Sequence, residues 1–463
     1  MHNLPIPSTD AQAQSLQLAN RIQQKIVESG AWISFADFMH MALYTPGLGY
    51  YSGGATKFGQ GGDFVTAPEI SPLYAKTLAR QVAQIMLETQ GNILELGAGT
   101  GKLAADLLLE LQALKALPNQ YLILEVSDHL RQIQCETLQK KLPDDLFKRV
   151  VWLDALPPSP QPSPTRGEGV SGSGGFARQR SLTRGEGVKC GGIQAKIISP
   201  QPSPTMGEGA AAPQLADTSP SPLEGEGWGE GSEGFNGLIL ANEVLDAIPV
   251  HLIVNTVQGL HERGVSFQKK SDKEFDFIWQ DKPLQKGRLH DEVSSYALPI
   301  NYMTEFCPAA TGLVRSLGEC LQTGVILMID YGFGAAEYYH PQRNQGTLMC
   351  HYQHYAHSNP LINIGLQDIT AHVNFTPIAQ AGQAHGIRLA GYVNQAQFLI
   401  NCGILTILQQ FSPQDSNYIK LAAAAQKLLS PAEMGELFKV IAFSKDFDEE
   451  LIGFKSGDKT HTL

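Results

Sequence analysis

The chain has 463 residues, of which 43% are hydrophobic, and a formal net charge of -11. That is more chain than one minimal domain needs, with enough apolar content for a real core. The acidic balance argues against a broad nucleic-acid surface, which needs clustered Lys and Arg, and leaves room for a basic partner.

Six cysteines stand at 135, 190, 307, 320, 350 and 402. None forms a C-x-x-C pair and no disulfide framework emerges, so reduced, buried thiols of a cytosolic protein are expected. Residues 1–15 are polar and poor in Arg, without a signal-peptide core or a mitochondrial transit pattern. No apolar run reaches the length of a membrane span.

In chain order, 16–28 reads as an amphipathic helix, and Ser34 with Asp37 reads as a capping box opening another. Residues 42–51 form an aromatic turn with Tyr44, Tyr50 and Tyr51. A glycine-flanked polar loop, 61–72, precedes a further helix and carries Asp63, Thr66 and Glu69. Its backbone amides suit a carboxylate or another substrate group. Strand 92–96 then runs into Gly97-Ala98-Gly99-Thr100-Gly101 and helix 102–114. Glycines at this spacing let the chain turn sharply and approach a ligand, with helix amides aimed at the same place.

A dinucleotide fingerprint is G-x-G-x-x-G, but here Lys102 occupies the position of its last glycine. Glu95 stands two residues before the first glycine. An acidic strand end suits a ligand carrying sulfonium and ammonium groups, S-adenosyl-L-methionine, better than a pyrophosphate. Strand 121–126 places Glu125 where a carboxylate can accept from both ribose hydroxyls. Helix 128–141 follows, and strand 150–154 ends on Asp154, a candidate for the adenine amino group.

Residues 157–234 repeat Ser-Pro-Gln-Pro-Ser-Pro-Thr and Gly-Glu-Gly fragments, a composition expected to stay disordered. Without it, strand 237–242 follows strand 150–154 closely. Asn242, Glu243 and Asp246 come next, where a methyl acceptor is expected. If that segment turns helical, Glu243 and Asp246 share one face. Paired carboxylates can grip a guanidinium by bidentate bonds, aim one nitrogen and localise charge on the others. Residues 255–320 read as a substrate-side element, and 324–330 as another strand. His351, His354 and His357 lack the company of a zinc set, so no metal is expected. His372 is a candidate for the active cleft. The alternating strands and helices imply an α/β fold, a mostly parallel Rossmann-like sheet covered on both faces.

These motifs resemble the MidA-like S-adenosyl-L-methionine-dependent methyltransferases. The resemblance rests on Ala42-Leu43-Tyr44 with Gly49-Tyr50-Tyr51, Gly62-Asp63-Phe64 with Thr66-Ala67-Pro68-Glu69-Ile70-Ser71, and Glu95 to Gly101. It continues through Asn242 to Val250, Glu305-Phe306-Cys307-Pro308, Asp330-Tyr331-Gly332 and Asp368 to Val373. It implies a class I methyltransferase fold and, from mitochondrial members that assist complex I assembly, protein arginine methylation. The implied partner is a protein substrate, with a respiratory complex I subunit one option and homo-oligomerisation left open; the implied compartment is the bacterial cytoplasm.

The donor set expected is Glu95, Gly97, Ala98, Gly99, Gly101, Glu125, Asp154, Asp63 and Thr66. The catalytic set is Glu243, Asp246, Asn242, Glu69 and His372. The segments expected are a helical extension (1–90), the cofactor-binding domain (91–156 and 235–254, ending in 321–463), the disordered insert (157–234) and the substrate-side element (255–320). Another methyl acceptor, or an assembly chaperone that binds the cofactor without essential catalysis, are the alternative functions.

Overall fold

The computed structural model describes residues 4–53, 66–157, 234–271 and 274–463. The repeat segment 157–234 lies outside them apart from its two end positions. In chain order the strands are β1 (Ile33–Ser34), β2 (Asn92–Leu96), β3 (Tyr121–Leu124), β4 (Val150–Leu153), β5 (Phe235–Asn242), β6 (His251–Thr256), β7 (Gly259–Lys269) and β8 (Phe275–Pro283). They continue with β9 (Tyr302–Phe306), β10 (Leu321–Phe333), β11 (Met349–Tyr352), β12 (Tyr355–His357), β13 (Asp368–Thr370), β14 (Val373–Asn374), β15 (Arg388–Asn394) and β16 (Phe438–Lys445).

The principal sheet runs β15-β16-β10-β5-β2-β3-β4. From β10 to β4 every pairing is parallel, and β16 runs antiparallel to both its neighbours. Its strands are apolar on both sides because both faces are covered. Ile93, Leu238, Leu240, Val325 and Leu327 pack with helices Pro72–Thr89 and Lys102–Ala113. Leu94, Ile239, Ala241, Ile326 and Met328 pack on the opposite side with helices Pro308–Cys320 and Phe375–Ala384. The period-two alternation along β5 therefore splits between two cores, and each of these four helices is held by one of them.

The polar chain from Thr9 onward is already helical. The first helix spans Thr9–Glu28, not 16–28, because Ser8 caps it by accepting from the Ala11 amide at 3.3 Å. Only Leu18, Ile22 and Ile26 are buried, so the apolar stripe marks the packed part rather than the whole helix. Ser34 caps helix Phe35–Tyr44, accepting from the Asp37 amide at 3.0 Å.

Strands β1, β6, β7, β8 and β9 form a second, antiparallel sheet. Leu18, Ile22, Phe35 and Phe38 pack on Leu252 and Val265 of that sheet. The N-terminal helices thus share one core with Leu252, Val265, Phe267, Phe277 and Trp279; Val293, Leu298, Tyr302 and Phe306 form a smaller cluster with Ile253; and helix Pro308–Cys320 packs on the principal sheet. Strand β10 is 13 residues long and extends past the expected 324–330 at both ends. Its extra residues carry Tyr331 and Phe333 beyond the sheet's parallel core.

Candidate active site

A cavity of about 270 Å³ opens at the carboxyl ends of β2, β3 and β5. Ligands of open α/β sheets sit at this end because the loops diverge there. Four stretches of chain meet around it: the turn after β2, the residues after β3, the loop after β5, and the N-terminal residues Tyr44, Tyr51, Thr66, Pro68 and Glu69.

Gly97 and Gly99 stand at φ 62° and 53°, and Gly101 caps helix Lys102–Ala113 at φ 78°. These left-handed angles favour glycine. At Gly101 there is also no space, since a Cβ would meet the Gln134 Cα at 3.1 Å. Gly97, Ala98 and Gly99 line the cavity and Gly101 does not. Its contribution is to start the helix and let the following helix approach.

Glu95 is buried, and its Oε2 accepts from the Tyr121 hydroxyl at 2.8 Å. Burial pushes its carboxyl up to about 7 against the pull of that hydrogen bond. Glu125 is fixed from two sides: the Ser127 amide donates to Oε1 at 3.0 Å, and Gln134 Nε2 donates to Oε2 at 2.9 Å. Gln134 also donates to the Gly99 carbonyl at 3.1 Å and accepts from Trp152 Nε1 at 2.9 Å. Neither Gln134 nor Trp152 was expected. Gln134 does carry a signal, because it interrupts the apolar stripe Leu130, Leu138 of its own helix.

Asp154 is not brought to the cavity. Arg131 bridges the ends of β3 and β4 through the carbonyls of Glu125 and Leu153, and draws the Asp154 carboxylate to 2.8 Å at the surface, where its side chain is 87% exposed. Asp63 lies outside the described residues. His372 does not line the cavity either: it stacks on Phe333 at 5.4 Å and sits edge-on to Tyr331 at 5.0 Å. Burial lowers it to about 4, so it is neutral near pH 7.

The loop after β5 is a turn, not the helix considered above. Glu243 adopts φ 54°, a strained angle for a residue with a Cβ. Two contacts hold it. Its amide donates to the Ile329 carbonyl at 2.8 Å, and the amides of Val244, Leu245 and Asp246 all point at Asp330 Oδ2, at 3.1, 2.8 and 3.2 Å. Glu243 and Asp246 still face one cavity, but through this coil and not through helical spacing. Glu243 Oε1 accepts from the Ala67 amide and from Asn242 Nδ2, each at 3.2 Å. Asn242 is oriented by the Tyr74 hydroxyl at 2.5 Å. Tyr331 donates to Asp246 Oδ2 at 2.7 Å. Glu69 Oε1 accepts from Thr100 at 2.6 Å, tying the N-terminal segment to the glycine turn.

Desolvation, then Asp246, pushes Glu243 up to about 8, and desolvation pushes Asp246 up to about 6. Among the described residues the lining holds Glu69, Glu95, Glu125, Glu243 and Asp246 against one cation, Lys102, which is already paired with Asp106 at 2.5 Å. Such a cavity disfavours anions and is completed by a cation. Among the described residues no group of three His, Cys, Asp or Glu is arranged to hold a metal ion.

A family model described as "Putative S-adenosyl-L-methionine-dependent methyltransferase" matches residues 77–167 and 219–393. The crystal structure of a Burkholderia thailandensis protein bound to S-adenosyl-homocysteine is 40% identical, covers 100% of both chains and superposes with a TM-score of 0.80. A native crystal structure from the same organism, also 40% identical over 100% of both chains, gives 0.77. The mitochondrial protein arginine methyltransferase NDUFAF7 of Mus musculus is 26% identical over 441 residues, 92% of this chain and 84% of that one. Its Drosophila melanogaster homologue is 25% identical over 460 residues, 95% of this chain and 87% of that one.

Two outcomes are expected of the ligand-free protein. Asp330→Ala strands three consecutive amides and should cost about 3 kcal/mol or more in urea unfolding; a loss below about 1 kcal/mol would show that Asp330 does not hold the loop. Glu243 keeps its proton to about pH 8 when folded but releases it near the ordinary carboxylate value when unfolded. Folding therefore takes up a proton between those values, and stability falls as pH rises from about 4.5 toward 8. Glu243→Gln should reduce that slope by as much as about 1.4 kcal/mol per pH unit. An unchanged slope would place the Glu243 carboxylate in a wetter setting.

Proposed function

The chain belongs to the S-adenosyl-L-methionine-dependent methyltransferase family, and from that membership we propose that it methylates arginine side chains of a protein. The observation that carries this reading is the carboxylate pair Glu243 and Asp246, on the loop after β5, facing a cavity in which the lining ammonium group among the described residues, that of Lys102, is already paired. The name of the mouse relative, a protein arginine methyltransferase, supports it.

The lining suits the donor chemically. The left-handed turn at Gly97 and Gly99 leaves backbone open to a ligand, and Gly99 has nothing within 4 Å of the place a Cβ would take. We assign Gly97, Ala98, Gly99 and Glu95 to the cationic amino-acid end of the donor. Glu125, locked by Ser127 and Gln134, takes the ribose hydroxyls. Thr66 and Glu69 close this end from the N-terminal side. When bound, the donor supplies an electrophilic methyl group on a sulfonium.

A guanidinium is a weak nucleophile because its lone pairs are delocalised and its pKa exceeds 12. Glu243 and Asp246 orient it and hold its charge on the nitrogens they bind, which leaves electron density on the reacting one. Asn242, held by Tyr74, keeps the Glu243 carboxylate in place. Methylation sets a proton free, and a carboxylate in this cavity is a ready acceptor for it. A respiratory complex I subunit is the substrate that the motif resemblance offers, with the bacterial cytoplasm as compartment. No helix among the described residues is long and apolar enough to cross a membrane.

Glu243→Gln preserves the shape and the Ala67 contact but removes the charge. Donor affinity measured by calorimetry should stay within about threefold, while labelled-methyl transfer to arginine in lysate proteins falls by about tenfold or more. Undiminished transfer would remove Glu243 from the acceptor site. Label recovered on lipid or RNA in place of arginine would overturn the acceptor class.

A further inference from the structure

One side chain reaches Asp246 from outside the loop after β5. Tyr331 follows Asp330 on β10, and its hydroxyl donates to Asp246 Oδ2 at 2.7 Å. The ring cannot swing away. His372 stands edge-on to it at 5.0 Å, and Phe438 flanks it at 5.4 Å. His372 is fixed in turn by stacking on Phe333 and by its amide, which donates to Thr347 Oγ1 at 3.0 Å. The backbone around Asp246 is pinned as well: its amide points at Asp330 and its carbonyl accepts from the Ala371 amide at 3.0 Å.

We propose that Tyr331 is a positioning residue for methyl transfer, holding the Asp246 carboxylate in one rotation and in its ionised form to receive the acceptor cation. This rests on the assignment of Asp246 to the acceptor. The groups facing Asp246 are mostly acidic or phenolic: Glu243 on its own loop, Asp330 on β10, and Tyr44 and Tyr51 from the N-terminal segment. Those facing Tyr331 are Asp246, Asp330 and the neutral His372. Nearby carboxylates oppose a charge on Asp246, and so does burial. The Tyr331 hydroxyl is the side-chain donor that works the other way, because a phenol gives its proton to a carboxylate lone pair more strongly than to a carboxylic acid. His372 thus acts at one remove, as a prop for the ring.

The test is a pH profile of the initial rate of labelled-methyl incorporation into protein arginine, with a bacterial cell lysate as acceptor pool and donor saturating. In Tyr331→Phe the acid limb should move up by about one pH unit. Transfer should fall about tenfold on that limb and recover to within about threefold at pH 9, with donor affinity unchanged. Fluorotyrosine at position 331, a stronger donor, should move the limb down. A profile lowered equally at every pH, or one with no shift in either variant, overturns the proposal. If Tyr331→Phe fails to bind donor, the fluorotyrosine profile decides alone. Asp246→Asn, run in parallel, separates the two readings. Full transfer by Asp246→Asn removes Asp246 from the acceptor site, whereas its loss beside unshifted Tyr331 profiles overturns the positioning role only.

Discussion

Three consecutive amides converging on Asp330 Oδ2 set the shape of this site. A carboxylate at the end of an inner strand is expensive to bury, and Asp330 is 1% exposed with Asp246 and Glu243 close by. The amides offset that cost, and in doing so they dictate where the loop goes. A loop wound round one oxygen cannot continue as a helix, and its first residue is driven into the left-handed region. Glu243 accepts a strained backbone angle because four hydrogen bonds at and beyond it over-determine the turn. Glu243 and Asp246 then project from a short coil that has little freedom to relax.

The side of the cavity formed by β2 and β3 is built by a different device with the same logic. There the rigid body is helix Asp128–Lys141, and its Gln134 joins three strand ends. One amide group ties the carboxylate after β3, the carbonyl in the turn after β2 and, through Trp152, the edge strand β4. Gly101 lets the helix come this close, since any side chain there would meet Gln134. The glycine turn and the acid are therefore coupled through one side chain, and a shift of either disturbs the other.

Local chemistry made part of this readable from sequence. Helix Asp128–Lys141 has the bounds its pattern implies, because its cap Ser127 and its apolar stripe are both local. The turn at Gly97 and Gly99 is likewise written in glycines and a neighbouring acid. What escaped was long-range. Tyr331 meets Asp246 across 85 positions, Tyr74 meets Asn242 across 168, and no periodicity encodes such pairs. Asp154 misled because an acid at a strand end has two uses, and Arg131, from the helix between β3 and β4, claims it for the surface. The antiparallel sheet left a trace in the alternation of Phe275, Phe277 and Trp279 with Asp276, Ile278 and Gln280 along β8, but β1, which pairs with β7 on its other side, lies over 200 residues away. Among the acids, Asp330 had the same visible signature as Glu125, an acid closing an apolar strand.

Collecting Glu95, Glu125, Glu243 and Asp246 around one small cavity is unfavourable in itself. Glu95, Glu125, Glu243 and Asp246 are all raised, which means each holds its proton more tightly than it would in water. The same arrangement becomes favourable once positive charge enters, because a cation at a few ångström in a poorly hydrated site restores the ionised forms and gains their attraction. The proposed pair, a cationic donor and a cationic acceptor, would repel each other in any neutral pocket. Under the proposed assignment, acids on both sides make it possible to bring them together, Glu95 and Glu125 toward one and Glu243 and Asp246 toward the other. On that assignment the raised carboxyls and the proposed preference for paired cations have one electrostatic origin.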